Sequence, residues 1–377
     1  MPESDESGLS DATGNFALKL YSELVDPEKN LFFSPISIFT ALSMVYAGAS
    51  NVNKKEMADL LNLSMVSDDI HLEIKNQIKH LLTKSGYQLK FANALWLQIG
   101  YSLLNKYMFI INRNYDGSVY EVDFRKISDA CAKINAWVVE QTRNKIQEIV
   151  NAGSIDENTK LVIINAIYFK AKWHSPFSKS LTENQDFTLI SGKKITVPMM
   201  HKTRNYFYYH ENEEYQAIHI PYEGRSCAMI VFLPKNIEGI ISLEKKLINL
   251  DFKNNKQFFK GESVEIFFPK FKIETNYRLR ERLINLGMKD AFKDDADFSK
   301  MTDHEEGMTI SEVIHKTFVN VDEEGTEAAA VTATIMRAGS ALPQEEPIIF
   351  RADHPFLFMI YTSETILFIG KVMNPLQ

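Results

Sequence analysis

The residues with the clearest chemical meaning in this chain are Glu323-Glu324-Gly325-Thr326-Glu327-Ala328-Ala329-Ala330-Val331-Thr332-Ala333-Thr334. They form no nucleophile–base pair and no metal ligand set. What they could do is insert. Gly325 supplies backbone freedom that no residue with a Cβ matches, and everything after it is small or β-branched apart from Glu327. With a period of two, Thr326, Ala328, Ala330, Thr332 and Thr334 share one face, and Glu327, Ala329, Val331 and Ala333 share the other. The first face carries neither charge nor bulk, so it could slide between two strands of a sheet without opening a cavity or burying an unpaired ion. Two bland readings compete. An Ala-rich helix would make the paired threonines poor choices, and a flexible linker would not explain the long apolar strands on both sides.

Conventional catalysis finds little support. A Ser/His/Asp hydrolase needs an exposed nucleophile, a base and an oxyanion hole, often in a Gly-x-Ser-x-Gly elbow, and the chain has no such elbow. It also lacks Cys-x-x-Cys, His-Glu-x-x-His, a P-loop and a dinucleotide fingerprint. The nine histidines are scattered, and His304-Glu305-Glu306 reads as a polar loop rather than a metal site. The chain is therefore read as non-enzymatic, with no cofactor and no metal. His315 shares a strand face with Thr317, Val319 and Val321, so it should point inward and need partners.

These residues need a large scaffold. No Pro/Gly/Ser-rich linker, charge block or internal repeat divides the 377 residues, which are read as one domain, 1–377. Apolar residues make up 45%, and 25 phenylalanines suggest large sheet faces packed by helices. A net charge of -7 without a dense Lys/Arg patch argues against nucleic-acid binding. No run approaches the roughly 18 apolar residues of a membrane span. The acidic start Met1-Pro2-Glu3-Ser4-Asp5-Glu6 is unlike a secretory signal. The expected location is cytoplasmic, or extracellular by non-signal export or after removal of a signal peptide not seen here. Cys131 and Cys227 cannot build a disulfide framework.

The pattern predicts helices early: Asn15 to Leu24, one opened by Ser34-Pro35 and closed at Gly48, Lys54 to Leu61, Ile70 to Leu82, and a long surface helix over Ile134 to Val150. Strands are predicted at Phe91 to Leu97, Leu161 to Phe169, Ala217 to Pro221, Ala228 to Leu233, Ser263 to Pro269, Lys270 to Glu274, Glu312 to Val321, Ile348 to Arg351, Pro355 to Tyr361 and Thr365 to Val372. A helix over Tyr277 to Leu286 should end at Gly287. Runs of strands without strict alternation make the class α+β.

Several strings, in order, carry a family resemblance: Asn30-Leu31-Phe32-Phe33-Ser34-Pro35-Ile36-Ser37, Asn93-Ala94-Leu95-Trp96, Ile134-Asn135-Ala136-Trp137-Val138, Asn165-Ala166-Ile167-Tyr168-Phe169-Lys170-Ala171-Lys172-Trp173, Val197-Pro198-Met199-Met200, Pro269-Lys270-Phe271-Lys272-Ile273-Glu274 and His354-Pro355-Phe356-Leu357-Phe358. From Asn15 to Pro375 the chain resembles the serpins, the serine protease inhibitors, and looks like their intracellular, ovalbumin-like branch. The resemblance implies the serpin fold: three β-sheets surrounded by about eight or nine helices, with an exposed C-terminal reactive-centre loop, about residues 323–346. It makes 323–334 the hinge, Ser34, Ser37, Asn165 and His315 the shutter where the main sheet parts, and Trp173 the breach where insertion begins.

It also implies a mechanism. A target protease attacks the loop and forms an acyl-enzyme, and the cut loop then inserts as a strand of the main sheet and traps the protease. The expected partner is therefore a protease, held in a 1:1 covalent complex by a monomer. Family spacing from Glu323 puts the scissile bond at Gly339-Ser340, which suits an elastase-like serine protease or a papain-like cysteine protease. Cleavage after Arg337, before Ala338, would suit a trypsin-like enzyme but shorten the inserted segment by two residues. Lys75, Lys79 and Lys84, with acidic neighbours, argue against a heparin-like glycan site. The rival reading is a non-inhibitory member, a binding protein or chaperone.

Overall fold

The computed structural model describes residues 6–66, 69–115, 118–247, 259–327 and 346–377. Eight α-helices lie among them: α1 (Glu6–Leu24), α2 (Pro35–Tyr46), α3 (Asn51–Leu60), α4 (Ile70–Thr83), α5 (Asn105–Asn114), α6 (Ile127–Gln141), α7 (Gly239–Leu247) and α8 (Arg280–Asn285). A six-stranded sheet contains β2 (Tyr87–Gln98), β3 (Ser118–Val122), β4 (Leu161–Lys172), β10 (Phe271–Arg278), β11 (Ile310–Val321) and β12 (Gly325–Thr326), in the order β10-β11-β12-β4-β2-β3. The remaining strands are β1 (Leu31–Phe33), β5 (Glu183–Thr188), β6 (Lys194–Glu211), β7 (Tyr215–Pro221), β8 (Cys227–Pro234), β9 (Lys260–Pro269), β13 (Ile348–Arg351), β14 (Phe356–Thr362) and β15 (Ile366–Val372). They form a second, nine-stranded sheet in the order β1-β15-β14-β8-β7-β6-β9-β13, with β5 on β6. The expected three-sheet count becomes two continuous sheets because the long β6 pairs with β5, β7 and β9 across an irregularity between Lys202 and Asn205.

β4 is nearly continuously apolar because both its faces are covered. Leu161 and Ile163 pack with Phe39 and Leu42 of α2, while Val162, Ile164 and Ala166 join Trp137 and Val138 of α6. Higher up, Ile167, Phe169 and Ala171 pack against the second sheet, through Tyr222 and Phe368. The same strand is thus clamped by helices at one end and by a sheet at the other. α2 starts as expected: Ser34 caps it by accepting from the Ser37 N–H at 3.3 Å, with Pro35 in the first turn.

Two expected helices are corrected, and one strand was not expected. The helix expected over Ile134 to Val150 ends at Gln141, because Arg143 and Asn144 turn left-handed at φ 51° and 62°. Ile146 and Ile149 are still buried, so their helical spacing marked contact and not helix. The helix expected from Tyr277 begins only at Arg280, since β10 runs on to Arg278 with Tyr277 paired to His315. Lys194–Glu211 was not read as a strand, because lysines, histidines and asparagine break its alternation. Both cysteines are free.

Candidate functional site

β11 and β4 run parallel from Ile310 opposite Leu161 to Thr317 opposite Ile167, with one register shift between Ile310 and Glu312. Along this seam, Asn165 stands opposite His315, and on its other side opposite Asn93 of β2. Ser34 and Ser37 reach the same point from α2. The Asn165 Nδ2 donates to Ser37 Oγ at 2.6 Å, to Ser37 O at 3.0 Å and to Asn93 Oδ1. Its Oδ1 faces His315 Nδ1, and His315 Nε2 accepts from the Ser34 backbone N–H at 3.2 Å. Because Nε2 accepts, the proton lies on Nδ1 and is donated to Asn165. Burial pushes His315 down to about 3, so the ring is neutral. All four predicted residues are therefore brought together, with the Asn165–His315 bond crossing the seam. Ser37 is fully buried and pairs with an amide rather than with the histidine, an arrangement that cannot serve as a nucleophile and base.

Above Thr317 and Ile167 the two strands part, and β12 fills the fork. Thr326 pairs with Val321 of β11 and Ala171 of β4, and Gly325 pairs with Lys172, antiparallel on both sides. Glycine is required here by close approach: at φ 154°, a Cβ would lie 2.1 Å from Ala171 O and 2.7 Å from Lys172 Cα. Thr326 is fully buried, with its Oγ1 2.7 Å from the Tyr222 hydroxyl. Trp173 lies at the same place. It stacks on Tyr222 at 4.6 Å between ring centroids, its indole N–H donates to Asp322 O at 2.9 Å, and its backbone N–H donates to Glu324 O at 2.8 Å.

The first two acidic residues of the hinge are tied down. Burial would raise the Glu323 carboxyl, yet hydrogen bonds from Lys270 at 2.9 Å and Thr182 at 2.8 Å hold it below its ordinary range. Lys179 pairs with Glu324 at 2.6 Å. Glu327 differs. Its backbone is left-handed at φ 56°, its carboxylate is buried with no hydrogen bond of normal geometry, and burial raises its pKa despite the Lys145 ammonium 3.4 Å away.

The family model described as Serpin (serine protease inhibitor) matches residues 11–375. The chain belongs to the serpin family. An uncharacterized serpin-like protein of Thermococcus kodakarensis is 41% identical, with 100% of this chain and 88% of that one covered. A leukocyte elastase inhibitor of Bos taurus is 37% identical over 97% and 99% of the two chains. Among solved structures, Serpin48 of the insect Tenebrio molitor superposes with a TM-score of 0.89 at 31% identity, covering 99% of each chain.

In this serpin the described residues include Glu323, Glu324, Gly325, Thr326 and Glu327 of the expected hinge. Ala328 to Thr334, and the candidate scissile residues Arg337, Ala338, Gly339 and Ser340, lie outside them. Sequence reasoning did not place Asn93, Tyr222 or Lys270 at the site. Asn93 carried a usable signal, a polar residue within the buried half of β2. Tyr222 and Lys270 carried none, because each lies just beyond a strand end and is brought in by the sheet pairing.

Proposed function

We propose that this serpin is a suicide-substrate inhibitor of serine proteases, a single unit over 1–377 that acts as a monomer and traps one protease per chain. The protease's serine attacks a bond of the loop. An ester forms, and the downstream amine departs with a proton from the protease's own histidine. Insertion of the cut loop then carries the ester-linked protease away before water reaches it. The observation that supports this reading is β12. A charge-free hinge residue, Thr326, already sits between β4 and β11 where the two strands part, and the small residues that follow it in sequence could continue the same strand. Ser34, Ser37, Asn165 and His315 would serve as the shutter, and Trp173 as part of the breach. In this reading the protein is a protease inhibitor and not an enzyme.

The cleavage point sets the target class. Gly339-Ser340 fits an elastase-like serine protease, which the name of the bovine relative favours, or a papain-like cysteine protease. Arg337-Ala338 fits a trypsin-like one. The test is incubation with trypsin, pancreatic elastase and papain, followed by denaturing gels and sequencing of the released peptide. A complex that survives the gel is expected, with a new N-terminus at Ser340 or Ala338. Cleavage by all three without any stable complex would overturn the inhibitory reading in favour of a binding protein of the same fold.

A further inference from the structure

The segment after α6, residues 142–150, lies across the six-stranded sheet. Arg143 and Asn144 are held there in left-handed backbone, which residues with a Cβ avoid. Several bonds hold them. The Asn144 N–H donates to Val139 O at 2.8 Å, Thr142 Oγ1 accepts from the Ile146 N–H at 3.1 Å, and Asn135 Oδ1 accepts from the N–H groups of Ile149 and Val150 at 2.8 and 3.1 Å. From this anchored segment, contacts run to both sides of the seam. Arg143 donates to Gln88 of β2 at 2.7 Å and lies 5.6 Å over the Tyr168 ring of β4. The Lys145 ammonium is 6.0 Å over Phe318 of β11 and pairs with Glu327 at 3.4 Å. Glu148 O accepts from Lys316 of β11 at 2.6 Å.

The positions matter. Ile167 and Thr317 are the last paired residues of the seam, so Tyr168 and Phe318 are the first on either side of the fork. We propose that Arg143 and Lys145 are positioning residues, a clasp that grips the two sides of the fork and sets how fast a strand enters the sheet. This rests on the insertion reading above. A strand that enters fully pushes β4 and β11 apart by about one further strand spacing, ~4.8 Å. Two side chains projecting from one anchored segment cannot keep both grips across that widening, so one must let go. Interactions present in the closed sheet and lost on the way to the barrier slow the step, and removing them speeds it.

The test uses a synthetic peptide with the sequence of residues 326–338 as the entering strand, its uptake into the intact protein followed on native gels. Arg143 and Lys145 are both exposed, so each single variant should fold. The expected result is uptake about tenfold faster in the Arg143→Met/Lys145→Met double variant and about threefold faster in each single variant. Arg143→Lys with Lys145→Arg should stay close to wild type, as should Lys133→Met on the outer face of α6. The heat resistance of the peptide-loaded forms should be equal, which separates a kinetic clasp from a general loss of stability. Uptake in the single and double variants no faster than in wild type would overturn the clasp while leaving insertion intact. If wild type takes up no peptide and gains no heat resistance after loop cleavage, insertion itself fails and the clasp falls with it.

Discussion

His315 is a neutral imidazole whose two nitrogens are both committed, one to the Ser34 N–H and one to Asn165. Its pKa of about 3 in the folded chain lies below the ordinary 6.5. The unfolded chain therefore binds the extra proton first. Stability due to this ring is complete above about pH 6.5 and is lost as pH falls towards 3, with a slope of about 1.4 kcal/mol per pH unit. Denaturant titrations at pH 7, 6, 5 and 4 should show wild type losing stability faster than His315→Gln, which has no ring to protonate, and parallel curves would refute this. Thr317 makes a second case. It is fully buried at the last pair of the seam, and its hydroxyl has no partner. Thr317→Val keeps the shape and removes the unsatisfied group, so the uncleaved protein should gain about 1 kcal/mol in the same titration. Thr326→Arg has the opposite character. It would bring a guanidinium against the buried Tyr222 hydroxyl and block the hinge face, which under the proposed inhibitory function turns the protein from inhibitor into substrate. The number of inhibitor molecules consumed per protease should rise several-fold, and an unchanged stoichiometry would sink the argument.

At the scale of the element, β12 is two residues long, yet it pairs with both β4 and β11 where they part. It stays in place because Gly325 has no Cβ where Ala171 O and Lys172 Cα would meet one. Gly325→Ala should therefore expel the hinge from the fork. The signs would be rapid hydrogen exchange at the Thr326 and Glu327 amides and a shift in Trp173 fluorescence, since Trp173 donates to Asp322 just before the hinge. Protection equal to wild type would show that the hinge can be accommodated some other way. The sequence marked Gly325 and Thr326 as able to lie in a strand, but did not give the reason for the glycine. Composition suggested conformational freedom, whereas the cause is a neighbouring backbone that only the sheet brings near. The same limit explains α6. The isoleucine spacing from Ile134 to Ile149 matched a helix, and nothing local marked Arg143 and Asn144 as left-handed, because the bonds that hold them come from Asn135 and Thr142 after folding. Strands buried on both faces were legible: β4 was expected from Leu161 to Phe169 and runs on to Lys172. The four polar residues that meet at the seam, in contrast, were brought together by the family resemblance and not by any local pattern. Their partner Asn93 was missed, because cross-strand register is a tertiary property.

At the scale of the whole molecule, the seam is the weak line of the sheet. β4 and β11 are parallel neighbours, a pairing slightly less stable per residue than an antiparallel one, whereas β12 is antiparallel to both. A longer strand continuing β12 would replace one parallel interface by two antiparallel ones. At a net ~1 kcal/mol per hydrogen bond, about ten inserted residues would release on the order of 10 kcal/mol. Against this stand the Asn165–His315 bond across the seam and the helices packed on β4, which must yield locally while the rest of the core stays intact. A single cut in the loop frees its end, so cleaved protein should melt about 10–15 °C above the intact form. Ala330→Pro isolates the cause. Proline removes a ladder donor from the middle of the new strand, yet residue 330 lies well before either candidate cleavage point, so the cut itself can still occur. The cleaved variant should show the same new N-terminus as cleaved wild type with little of the gain in melting temperature. If instead it gains as much as wild type, the extra stability comes from relaxation elsewhere, and strand insertion is not what drives this molecule.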